Sequence, residues 1–107
     1  MHKKFLSMFL GGFTVAALTY IAPARANDET LATKYNCLTC HATDRKVVGP
    51  SYKDVAAKYK DDPKALEMLI NKVKNGGGGV WGSVPMPPNN VPDADLKTLV
   101  EWVLSTK

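Results

Sequence analysis

The chain has 107 residues, which bounds it to one domain. Its formal net charge is +4, from 14 Lys and Arg against 10 Asp and Glu. The excess sits mostly at the N-terminus: without Lys3, Lys4 and Arg25 the balance is 11 against 10, or +1, and no case for a nucleic-acid surface survives.

In chain order, Lys3 and Lys4 give a positive start, an apolar run extends from Phe5 to about Ala22, and Ala24-Arg25-Ala26 is a small-residue cleavage site. These are the parts of a secretory signal. Residues 1–26 are expected to be removed, leaving 27–107 as the working domain. The apolar run is long for a signal core, so a retained membrane anchor is the competing reading. Either way the domain is exported to an oxidising compartment.

Asn27 and Asp28 are expected N-caps of a helix that runs through Glu29 towards Cys40, with Leu31 and Tyr35 on one face. Next comes Cys37-Leu38-Thr39-Cys40-His41, the attachment signature of c-type haem. In a helical turn both thiols lie on one face. There they can add across the two vinyl groups of one porphyrin, and His41 can offer its imidazole to the iron. Other readings fit less well. A structural zinc site needs four ligands, and after cleavage Cys37, Cys40 and His41 are the only thiol and imidazole donors. A thioredoxin-like pair needs a βαβ context, and the sequence shows no convincing strand. A plain disulfide across so small a loop stabilises little.

Beyond the signature, Gly49-Pro50 marks a turn, and Ser51 to Tyr59 reads as a short helix with Tyr52, Val55, Ala56 and Tyr59 at helical spacing. Asp62 and Pro63 suit the start of a further helix, whose Leu66, Leu69, Ile70 and Val73 form an apolar stripe; Asn75 and Gly76 end it. A last helix starts at Asp93 and repeats the stripe with Leu96, Leu99, Val100 and Val103, and it is expected to pack across the N-terminal helix. Between these two helices lies an irregular stretch from Gly76 to Val91, with four consecutive glycines and then Pro85, Pro87 and Pro88 around Met86. A loop this long in a small domain usually serves a function. After cleavage the only methionines are Met68 and Met86. Met68 falls within a helix, where filling the core is its natural task. Met86 is held between prolines and, with no second histidine available, is the expected partner of His41 on the iron.

Three segments together resemble the small bacterial class I cytochromes c, closest to the monohaem cytochrome c-551 type: Cys37–His41, Val48–Ala56 and Trp81–Asn89. The resemblance spans residues 28–107. It implies an all-α cytochrome c fold, four to five short helices wrapped around one covalently bound haem c. It also implies that His41 and Met86 are the axial ligands and that the carbonyl of Pro50 accepts the His41 ring N–H. Trp81 and Lys72 match residues that meet the haem propionates, and Asn89 matches one whose side chain approaches the methionine sulfur.

With both axial positions filled, the remaining chemistry is one-electron exchange at iron. The expected function is therefore that of a periplasmic one-electron carrier, not an enzyme. It is expected to be monomeric, free of the membrane once the signal is cleaved, and without nucleic-acid partners. The resemblance implies a cytochrome bc complex as donor, with a terminal oxidase or nitrite reductase as acceptor. The alternative is a haem-based ligand sensor or peroxidase module from which Met86 dissociates. Lysines such as Lys53, Lys58, Lys60, Lys64, Lys72 and Lys74 could ring a docking face, but Asp54, Asp61 and Asp62 alternate with them as on an ordinary solvated surface. A domain of this size has a marginal core of its own, so its folding is expected to be linked to the cofactor.

Overall fold

The computed structural model describes residues 11–17 and 26–107. The expected signal and its cleavage motif lie largely outside the described residues, and 11–17 are exposed with no regular structure. Among the described residues no helix is long and apolar enough to cross a membrane.

Four α-helices follow: α1 (Ala26–Lys34), α2 (Tyr52–Lys58), α3 (Ala65–Asn75) and α4 (Asp93–Leu104), with one 3₁₀ turn at Cys37–Thr39. The described residues contain no strand, only the isolated bridges His41–Lys46 and Gly77–Met86. The all-α expectation holds. The N-terminal helix, however, stops short of the cysteines. Asn36 takes φ 59° and ψ 23°, the left-handed region that ends a right-handed helix and that asparagine tolerates better than most residues. Asp28 and Glu29, rather than capping α1, sit in its first turn with Lys34 in the last, a distribution that suits the helix dipole.

The other helices start for local reasons. Ser51, almost fully buried, caps α2 by accepting the Asp54 N–H at 3.0 Å on its Oγ. Asp62 was the expected cap of α3, but the helix begins three residues later. The Asp62 carboxylate instead accepts the Lys64 N–H at 2.8 Å, and its carbonyl accepts that of Ala65 at 3.2 Å, so it closes the turn leading into α3. Pro92 and Asp93 start α4 as its sequence pattern requires.

Helix α4 is the common partner of α1, α2 and α3. Leu96 is the largest fully buried side chain, and Ala32 of α1, also at 0 % exposure, is small enough for close approach. One buried cluster groups Tyr52, Val55 and Val103, and a second groups Val91, Leu96 and Val100. The Tyr35 hydroxyl donates to the Asp95 carboxylate at 2.5 Å, tying the chain just past α1 to α4.

Two predictions follow from this packing. Leu96→Ala is expected to cost about 2–5 kcal/mol in urea unfolding, the usual range for a buried leucine. The Asp95 hydrogen bond raises the Tyr35 pKa above its ordinary 10.0. Its contribution is therefore present below that value and lost as pH rises through the folded pKa. Tyr35→Phe should lower Tm at neutral pH and flatten the fall in Tm under alkaline conditions.

Candidate functional site

The 3₁₀ turn sets the two thiols. With three residues per turn, positions i and i+3 eclipse, so Cys37 and Cys40 project from the same side. The turn is closed by the Cys40 and His41 N–H groups, both donating to the Cys37 carbonyl at 3.2 and 3.0 Å. The cysteines are half-buried and unpaired. Burial raises the Cys37 thiol pKa, partly offset by a hydrogen bond with Tyr52.

The chain then doubles back over His41. The Val48 and Gly49 N–H groups both reach the Cys40 carbonyl, at 3.1 and 2.7 Å. This brings the Pro50 carbonyl to 2.8 Å from His41 Nδ1. A carbonyl can only accept, so the bond places the proton on Nδ1 and leaves the Nε2 lone pair free for a metal. The ring stacks on Tyr52 with centroids 5.2 Å apart, and Tyr52 meets Trp102 edge-on at 5.5 Å. Burial is the main reason that the Tyr52 pKa is raised. Gly49 lies flat against the imidazole: a β-carbon there would overlap Cε1 and come within 2.8 Å of Nδ1.

The methionine loop is held by a second close approach. Gly77 and Met86 exchange both backbone hydrogen bonds, at 3.0 and 2.8 Å. Gly76, at φ 72° and ψ −173°, ends α3. A β-carbon on Gly76 would meet the Met86 carbonyl at 2.5 Å, and one on Gly78 would meet Pro85 Cα at 3.1 Å. The glycines thus let the proline-bound methionine segment lie directly on the end of α3. Asn89 secures the far side. Its backbone N–H donates to the Val73 carbonyl at 2.9 Å, and its side-chain amide to Pro87 at 2.8 Å and Val73 at 3.4 Å. The amide is engaged on the backbone of the loop and α3, not on the methionine sulfur.

Between these two constructions lies a cavity of about 460 Å³. It brings together Cys37, Cys40, His41, Met86, Trp81 and Lys72, and Pro50 also contributes to its wall. Among the described residues the only charged side chains lining it are Lys46 and Lys72. The rest is mostly apolar, including core residues Val55, Leu99, Val100 and Val103. Among the described residues no buried side-chain nitrogen or oxygen lacks a hydrogen bond, so nothing in this wall asks for a polar guest. Met68, expected in the core, is instead 38 % exposed at the rim, because it stands off the Leu66-Leu69-Ile70-Val73 stripe. Sequence reasoning treated Gly49 as a turn residue and Tyr52 as one position of an apolar stripe. It missed that both bear on His41, since no local pattern encodes contact with a ring several residues away.

An apolar slot with two eclipsed thiols, a histidine of fixed tautomer and a thioether fits a haem. Comparison with known proteins agrees. The Cytochrome c family model matches residues 26–107. The chain is 51% identical over 100 residues to cytochrome c-552 of Nitrosomonas europaea, covering 92% of this chain and 96% of that protein. It is 53% identical over 85 residues to cytochrome c-551 of Allochromatium vinosum, covering 78% and 90%. The crystal structure of wild-type Nitrosomonas europaea cytochrome c552 superposes with a TM-score of 0.72 at 54% identity, over 74% of this chain and 99% of that one. The chain belongs to the cytochrome c family, of the class I monohaem c-551 type, and its cofactor is one covalently attached haem c.

Proposed function

We propose that the protein is a periplasmic one-electron carrier in which Cys37 and Cys40 form the two thioethers and His41 and Met86 bind the iron. General electron transfer follows from the family; the residue assignment and the location are our reading. The observation that carries it is the single cavity lined by both cysteines, His41 and Met86, with an otherwise apolar wall.

The haem supplies the redox-active iron, and the chain does the rest. Pro50 fixes the His41 tautomer and aims Nε2. The Gly77–Met86 pairing fixes the backbone that carries the Met86 thioether, which would supply the second ligand. Lys72 and Trp81, both on the cavity wall, would meet the propionates, and Lys46 adds a further cation. With His41 and Met86 both bound, the iron would have no coordination site for a substrate, and the mostly apolar wall would limit the access of water to it. Such a carrier meets its redox partners briefly. A cytochrome bc complex as donor and a terminal oxidase or haem nitrite reductase as acceptor suit this type of shuttle. The leader at residues 1–26 would deliver it by the general secretory route.

The test is the absorption spectrum of the exported protein, oxidised and reduced. Haem that resists acid–acetone extraction, with the weak far-red ferric band of Fe–S(Met), is expected. Covalent haem without that band would contradict Met86. Carbon monoxide should not bind the reduced protein near neutral pH; binding there would favour a ligand sensor or peroxidase module.

Met86→Ala should abolish the far-red band, admit carbon monoxide and lower the potential by about 0.1 V or more, since axial-ligand choice spans about 0.8 V. Gly49→Ala should cost about 1–3 kcal/mol by overpacking and shift the His41 Nδ1–H signal in NMR spectra of the reduced protein.

A further inference from the structure

We propose that Lys58 is a positioning residue for the haem cavity: its ammonium lies over the rings of both Tyr59 and Trp81 and latches the Trp81 segment of the methionine loop to the end of α2. The inference rests on the reading of this cavity as the haem site. The Lys58 Nζ is 5.6 Å from the Trp81 ring centroid and 5.8 Å from that of Tyr59. Both distances are within the reach of about 6 Å over which a cation is attracted to a ring face. Tyr59 and Trp81 line the cavity, whereas Lys58 stands outside it and is exposed.

The Trp81 segment needs such a latch. Residues 79–85 are all exposed, and Gly79 and Gly82, at φ 94° and 136°, flank the tryptophan with backbone that few other residues adopt. The backbone hydrogen bond found within this stretch, from Gly79 N–H to the Gly82 carbonyl, is internal to it. Among the described residues the ring contact of Trp81 is with Lys58. The cation therefore connects a loosely anchored cavity wall to a helix. No carboxylate lies within ion-pairing distance of Lys58 among the described residues, so its charge is not neutralised locally.

Two consequences follow. The indole of Trp81, placed to meet a propionate, is oriented by Lys58 from the outside. The positive charge also favours the reduced iron, because reduction adds an electron and the attraction between that electron and a nearby cation grows as water is excluded.

The test uses the haem-loaded protein and three variants, Lys58→Met, Lys58→Arg and Lys60→Met. Lys58 is exposed, so its replacement leaves the core untouched. The chain has two tryptophans, and in the reduced protein their two indole N–H signals are resolved by ¹⁵N NMR, with Trp102 as the internal reference. In Lys58→Met the Trp81 signal should shift and its exchange with solvent should quicken about two- to five-fold, the change that an exposed cation–π contact corresponds to. The reduction potential should fall. Lys58→Arg should restore both readings, since guanidinium stacks on indole as well as ammonium does. Lys60→Met, which removes the same charge two residues away, should leave the indole signal in place. A Trp81 signal unmoved by Lys58→Met, an unchanged potential, or failure of arginine to restore either one would overturn the proposal. A wild-type protein without covalent haem would overturn the assignment of the site itself.

Discussion

The structure depends on one constraint: among the described residues, half of the apolar side chains that make the core also wall the cavity. Val55, Leu99, Val100 and Val103 are all buried, and all line it. Leu96 is the only large side chain buried completely against protein alone among the described residues. A domain this small lacks the surface-to-volume ratio for a strong core of its own. The haem closes the deficit by presenting an apolar disc to the faces that α2, α3 and α4 leave inward. Cofactor and fold are thus one cooperative unit, and a ligand held only by the native state adds its binding free energy to stability.

The segments that carry His41 and Met86, the two proposed ligands, are held on the same principle with different chain. On one side the loop after the signature folds back, and Gly49 admits the imidazole while Pro50 bonds to it. On the other, Gly76 and Gly78 admit the Pro85-Met86-Pro87 backbone against the end of α3, and Gly77 pairs with Met86. In both cases a missing β-carbon lets backbone approach within contact distance, and a backbone hydrogen bond then fixes the ligand-bearing segment. The glycine run is a seat for the methionine loop rather than a slack connection. In the proposed ligation, backbone support of both His41 and Met86 would resist rearrangement when the iron changes charge and so keep the reorganisation accompanying electron transfer small.

Much of this was legible in the sequence. Apolar stripes located α2, α3 and α4 because each helix buries one face against the same centre, and a period of 3.6 residues records that directly. The pentapeptide located the haem because thioether chemistry tolerates little variation in spacing. What was not legible depends on contacts between distant parts of the chain. Asn36 ends α1 in a left-handed turn so that the 3₁₀ turn can present both thiols, and nothing in residues 27–40 forbids a continuous helix. Asp62 was read as a cap of α3 and instead closes the preceding turn, a difference of one local hydrogen bond. Met68 was assigned to the core from its residue type, although its offset from the α3 stripe already pointed it to the rim. The side-chain amide of Asn89 turned out to fasten the methionine loop to α3, a role that only the folded backbone reveals.

The most direct measurement of the central claim is urea unfolding, followed by far-ultraviolet circular dichroism, of the haem-loaded protein and of the same chain freed of haem by cleavage of both thioethers. If the haem completes the core, the loaded protein unfolds in one cooperative transition while the haem-free chain shows no cooperative transition and little helix in buffer alone. A haem-free chain that keeps its helices and unfolds cooperatively at a similar midpoint would contradict the account.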